Sequence, residues 1–230
     1  MKLGLATAFL VLSALLGGCA SAPQLPVSLS KDAIASKTAK VGVAMTALPK
    51  VDTEFPGAGC LLCLAAASVA NQSLTAHVQT LQPEDLAALK GDVAQLLRKR
   101  GVDVTVIGEP LDLKSLPSFS SKEPNFARLD FSSLKAKYHV DKLVVIQITA
   151  LGAWRNYASY IPTGDPKAVL KGTGYMVNLS NNALEWYLPV DVQKSADQKW
   201  DEPPKFPGLT NAYYQAIEIG KESFTKPFEQ

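Results

Sequence analysis

Histidine is scarce in this chain: two in 230 residues, His77 and His139, far apart and neither at a ligand spacing from a cysteine. Zinc coordination and histidine-based proton transfer therefore have little to build on. Only three cysteines occur, at positions 19, 60 and 63. No run of Lys or Arg appears, and 23 basic side chains face 21 acidic ones, so the charge footprint of a nucleic-acid binder is missing. A nucleophile elbow, a phosphate-cradling glycine loop and an H-E-x-x-H helix are also missing. Gly57-Ala58-Gly59 reads as a flexible lead into the apolar segment behind it. No two carboxylates are placed by periodicity in one cleft. The 15 Pro and 15 Gly are spread as punctuation and form no low-complexity tract, and there is no internal repeat. The chain is read as a non-enzyme with no cofactor.

What is present begins at the N-terminus. Lys2 is a short positive region, and Leu3 to Leu16 is an apolar run too short to span a bilayer, as in a secretory signal. Leu16-Gly17-Gly18-Cys19 looks like a lipobox, with an aliphatic residue and two small residues before the acceptor cysteine. Residues 1–18 are therefore expected to be a cleaved signal peptide, and Cys19 to carry the covalent lipid. Each buried methylene contributes about 0.8 kcal/mol, and stable anchoring needs more than one chain. Bacterial lipoproteins generally carry three, so the likeness implies firm attachment. Ala20, in place of Asp, resembles the pattern sorted to the outer membrane. The expected location is that membrane, facing the periplasm. Residues 19–39, rich in Ser, Ala and Pro, are read as a lipidated end and flexible tether, and 40–230 as a single periplasmic α/β domain.

Within that domain, Val41 to Met45 is a buried strand and Val51 to Gly59 a loop. Cys60 to Ala70 is almost wholly apolar and helical by composition, and Asn71 to Gln79 continues it. A helix from Pro83 carries Leu86, Leu89, Val93, Leu96 and Leu97 on one face, ends in Lys99 and Arg100, and is capped by Gly101. Val102 to Ile107 follows as a strand. Asp130 caps a short helix, Phe131 to Tyr138. Lys142 to Leu151 is a central strand, extended by Trp154 to Ile161. After a turn at Pro162–Pro166, Ala168 to Leu179 returns, with Gly172 and Gly174 suggesting a bulge. Asn181-Asn182 makes a hairpin turn. Ala183 to Lys194 pairs back, with Leu184, Trp186, Leu188, Val190 and Val192 inward and Pro189 marking an edge strand. Leu209, Tyr213, Ile217, Gly220 and Phe224 mark the last helix. The fold expected is a two-layer α/β arrangement: a mixed sheet, helices mostly on one face, a C-terminal β-meander, then an amphipathic helix.

This layout resembles a group of bacterial envelope lipoproteins: the curli-secretion lipoprotein CsgG, the lipoprotein activators of penicillin-binding proteins, and the TolB N-terminal domain. The carrying features are the strand Val41 to Leu48, the helix-Gly-strand at Leu86 to Ile107, and the short helix feeding Leu143 to Leu151. To these is added the hairpin Gly174 to Trp186 with its Leu184-Glu185-Trp186 ending. The apolar insert Cys60 to Ala70 departs from the pattern, and the long membrane-spanning hairpins of the curli protein have no counterpart here. Neither pore function nor any functional residue is carried over.

Two groups remain as candidates. Cys60 and Cys63 form a C-x-x-C that reads as a redox dithiol, a structural disulfide or two packed thiols; apolar neighbours argue against low-pKa redox chemistry. Trp154, Tyr157, Tyr160 and Ile161 form an aromatic hairpin tip that either anchors a partner or packs in the core. The segment Leu61 to Ala70 reads first as a core helix, with a partner surface or a lipid-facing element as alternatives. The leading functional reading is a membrane-anchored, non-enzymatic binding or assembly module for envelope proteins or its own copies. The alternatives are a thiol redox or metal-handling lipoprotein, and a subunit of an outer-membrane secretion complex.

Overall fold

The computed structural model describes residues 23–35, 39–121, 123–202 and 205–229. Residues 1–18, expected to be a signal peptide, and Cys19 lie outside them.

The centre of the sheet is β4 (Lys142–Trp154), flanked by β1 (Lys40–Met45) in parallel and β7 (Lys167–Asn178) antiparallel. Outside β1 runs β3 (Asp103–Val106), and outside β7 runs β8 (Leu184–Ser195), giving the order β3-β1-β4-β7-β8. β4 is central because Leu143, Val144, Val145 and Ile146 are all fully buried, so both of its faces need cover. Two long helices cover one face: α4 (Glu84–Lys99) and α6 (Pro207–Thr225). Leu86, Leu89, Val93 and Leu97 of α4 and Leu209, Tyr213, Ile217 and Phe224 of α6 are buried against Val43, Val144, Ile146, Met176 and Trp186. The other face is covered by the six-residue helix α5 (Ser133–Tyr138) and irregular chain, with Phe131, Leu134 and Val140 against Leu143, Val145 and Val177. The mixed sheet with helices mostly on one face, a meander and a final helix is the architecture expected.

Four local expectations are corrected. Residues 51–59 are not all loop: β2 (Asp52–Glu54) pairs in parallel with the far end of β4, taking over the edge that β1 leaves. Gly152 makes this possible: its φ is +134°, and a Cβ there would lie 1.8 Å from the Asp52 carbonyl oxygen. The segment 154–161 does not simply extend β4; it forms a separate small hairpin, β5 (Tyr157–Ala158) and β6 (Ile161–Pro162). Leu184 does not share a layer with Trp186. The register slips at Glu185, Met176 facing Trp186 but Val177 facing Leu184, and one extra residue turns Leu184 into the opposite cluster.

The fourth concerns the tether. Residues 23–35 lie on the domain. Val27 exchanges two backbone hydrogen bonds of 2.9 Å with Tyr187. A short helix α1 (Lys31–Ala35) buries Ala33 and Ile34. The Lys142 ammonium donates to the Ala33 carbonyl and pairs with Glu185, both at 2.6 Å. Apolar Val27 and Ile34 among the Ser, Ala and Pro residues give the segment something to bury, which composition averages away.

Candidate functional site

The apolar segment after the glycine-rich lead forms α2 (Leu61–Ala70), and Asn71 separates it from α3 (Gln72–Val78) with a 73° change of direction. The expected continuous helix is thus broken. Asn71 is 2% exposed, and its side chain accounts for the break. Its amide nitrogen donates to the Ala67 carbonyl at 2.7 Å and to the Tyr157 hydroxyl at 2.6 Å, while its oxygen accepts from Arg155 at 2.9 Å. The buried amide is thereby satisfied at both its nitrogen and its oxygen. Neither Asn71 nor Arg155 was among the residues expected from sequence. The available signal was a polar, weak helix former ending an otherwise apolar run.

α2 begins at Cys60, whose backbone is extended and whose Sγ accepts from the Cys63 amide at 2.9 Å. Cys60 and Cys63 are joined by a disulfide. Cys63 and Ala67 are the buried residues of α2, packed with Ala58 and Tyr157 in a small cluster of their own. One i, i+4 stripe therefore faces the protein. Everything else on the helix faces out: Leu61 is 89% exposed, Leu62 73% and Val69 76%. The reading of this segment as a core helix is overturned: α4 and α6 fill one face of the sheet, α5 and irregular chain cover the other, and α2 packs only in the separate small cluster with Ala58 and Tyr157.

The aromatic tip divides. Tyr157 is buried, edge-on to Phe55, with its hydroxyl on Asn71, so it is a core residue and no free anchor. Trp154 is half-buried, with the Lys171 ammonium 4.3 Å from its ring centre. Tyr160 and Ile161 are exposed, and the Tyr160 hydroxyl lies 3.6 Å from Cys60 Sγ. The hairpin tip is thus brought to the start of α2. Gly57 allows this approach: its φ is +89°, and a Cβ there would sit 1.9 Å from the Tyr157 carbonyl oxygen. Six of the nine large apolar residues exposed among the described residues belong to this one surface: Leu61, Leu62, Leu64, Val69, Tyr160 and Ile161. Single exposed apolar side chains are ordinary, but a cluster marks a contact surface.

Beneath α2, a groove of about 480 Å³ is lined by Asp52, Thr53, Gln72, Thr75 and Gln79 together with apolar Phe55 and Leu64. Burial opposes ionisation of Asp52, but hydrogen bonds from Gln79 and the Thr53 amide and the charge of Lys50 outweigh it, holding the carboxyl below its ordinary value. A wider cleft of about 890 Å³ lies on the α5 side of the sheet, between Pro23, Phe126, Arg128, Gln147 and Tyr187. Among the described residues, no group of three or more His, Cys, Asp or Glu is placed to hold a metal ion. His77 contacts Thr210 and the Phe206 ring, and His139 ends α5 in the left-handed conformation. The structure does not bring the histidines to the cysteines.

No protein-family model matches the chain, and no curated protein matches it. Solved structures give distant likenesses. The chain is similar to a PelC dodecamer from Paraburkholderia phytofirmans at 11% identity, over 91% of this chain and 94% of that one, with a TM-score of 0.35. It is similar to lipoprotein GNA1162 from Neisseria meningitidis at 11% identity, over 79% and 99%, with a TM-score of 0.33. Protein XCC0632 from Xanthomonas campestris gives 13% identity over 90% and 95%, with a TM-score of 0.39. Likenesses of this strength assign neither a family nor an activity.

Proposed function

We propose that this chain is a lipoprotein anchored through Cys19 to the outer membrane and facing the periplasm, where its folded domain is a non-enzymatic binding or assembly module. The observation that carries the binding role is the surface of α2 and the hairpin tip, a stapled helix that offers apolar side chains outward. Such a surface is costly to leave in water, at about 25 cal/mol per Å² of apolar area, and its retention on a disulfide-held helix fits a contact face. The lipobox-like Leu16 to Cys19 supports the anchor. In this reading the Cys60–Cys63 disulfide is structural: one sulfur caps the helix and the other is packed beneath it.

Intact-mass analysis of the protein from membranes tests the anchor. The expected product begins at Cys19 and carries acyl chains; a product with another N-terminus and no fatty acid overturns it. Crosslinking in cells, comparing the natural chain with Leu62→Glu, tests the module. The natural chain should give membrane or envelope-component adducts at α2 that the variant loses, and identical adduct patterns count against the reading.

A further inference from the structure

The geometry points to the bilayer surface itself as the occupant of the α2 face: α2 and the tip of the β5–β6 hairpin form a second membrane contact that inserts among lipid chains without crossing. This deepens the proposed binding role, resting on α2 as the contact face but not on Cys19 being acylated.

Three observations favour lipid over a protein partner. First, the exposed part of α2 is almost the whole helix. Residues 61, 62, 64–66 and 68–70 are exposed, Leu64 and Ser68 along the groove over Asp52 and Gln79 and the rest facing away from it, leaving one narrow stripe buried against the domain. A protein partner covers one side of a convex helix, whereas acyl chains conform to all exposed sides. Second, the exposed arc contains no charge and one polar side chain, Ser68. Its hydroxyl donates to the Leu64 carbonyl at 2.8 Å, so it makes no demand for water. The centre of the patch therefore offers nothing for a protein partner to hydrogen-bond; the polar groups nearest to it, Asp52, Gln72 and Gln79, lie along the groove at one flank. Third, the length fits lying in the interface. Ten residues span about 15 Å, half of a hydrocarbon core of about 30 Å. The turn at Asn71 points α3 away, with its Leu74 and Val78 buried in the domain core. No single helix among the described residues is long and apolar enough to cross a membrane. Tyr160 beside the start of α2 suits the water–lipid boundary, where amphipathic rings collect.

The test uses residues 20–230 without the acyl anchor, floated with vesicles of phosphatidylethanolamine and phosphatidylglycerol. The protein should rise with the vesicles, and hydrogen exchange at 61–70 should slow on binding. Leu61→Glu with Leu62→Glu places two charges on exposed positions and should lower partitioning on the order of 100-fold, with thermal unfolding unchanged. Ile161→Glu should lower it less. Absence of vesicle binding, or equal binding by the double variant, overturns the inference. So does a concentration-dependent dimer, seen by light scattering without vesicles and abolished by the same variant. Because the acyl group is absent throughout, failure here leaves the anchor through Cys19 standing, and failure of the anchor leaves this result readable.

Discussion

Lys142 opens the central strand with its ammonium turned inward, shared between Glu185 and the Ala33 carbonyl. Its side chain is 11% exposed and that of Glu185 is 21%, so removing the cation leaves a largely buried carboxylate without its counter-charge. Lys142→Met should lower stability by about 2–3 kcal/mol in chemical denaturation, whereas Lys142→Met with Glu185→Leu should recover much of that. His77 supplies a pH-dependent counterpart. Burial beside Phe206 disfavours the imidazolium and puts its folded pKa below the ordinary 6.5. The unfolded chain therefore takes up the proton first. The stability His77 contributes is complete above pH 6.5 and declines as pH falls through the folded value. His77→Gln, which keeps a partner for Thr210, should flatten the denaturation midpoint across that window. The carboxylates act lower. Asp141, held down by the Lys40 amide and Lys135, loses its contribution only below its ordinary 3.8.

Among the elements, α2 is the least embedded in the fold. Two buried residues hold it to the domain, against the seven buried positions of α6, and its disulfide ties only its N-cap to its own first turn. Opening the disulfide removes a very short loop closure, a loss of about 2 kcal/mol or less in the chain-entropy view. Cys60→Ser with Cys63→Ala, which keeps an oxygen at the N-cap, should therefore act locally. Hydrogen exchange at 61–70 should accelerate severalfold while β4 and β7 remain protected. Equal acceleration throughout the sheet would show that the disulfide supports the whole fold. Legibility in the sequence follows the same division. α4 and α6 were readable because their apolar residues recur at helical spacing and each buries one stripe. α2 was readable as a helix but not as an exposed one. A helix that is apolar all round has no pattern by which sequence can say which side is covered.

For the molecule as a whole, the N-terminal segment decides how the domain is held. Cys19 precedes Pro23 by four residues, so an extended link between them reaches only about 14 Å. If Cys19 is acylated, the domain therefore rests close to the bilayer instead of ranging on a long tether. A chain beginning at Lys40 loses the burial of Ile34, the Val27 pairing and one partner of Lys142. It should unfold about 5–10 °C lower, at roughly 2–4 °C per kcal/mol for a domain of this size. An unchanged midpoint would return residues 23–35 to the role of a free tether.

Residue pattern alone settles the order of the long elements, the central place of β4, the buried stripes of the two long helices and the edge position of β8. Each is written in local periodicity, in capping residues or in a proline that cannot donate to a ladder. Packing in three dimensions settles which layer Leu184 joins, that residues 23–35 dock, and that α2 stands outside while Tyr157 does not. These turn on competition for two finite sheet faces. Once α4 and α6 have filled one, and α5 with irregular chain the other, an equally apolar segment has nowhere left on the sheet to be buried, and nothing within that segment records the fact.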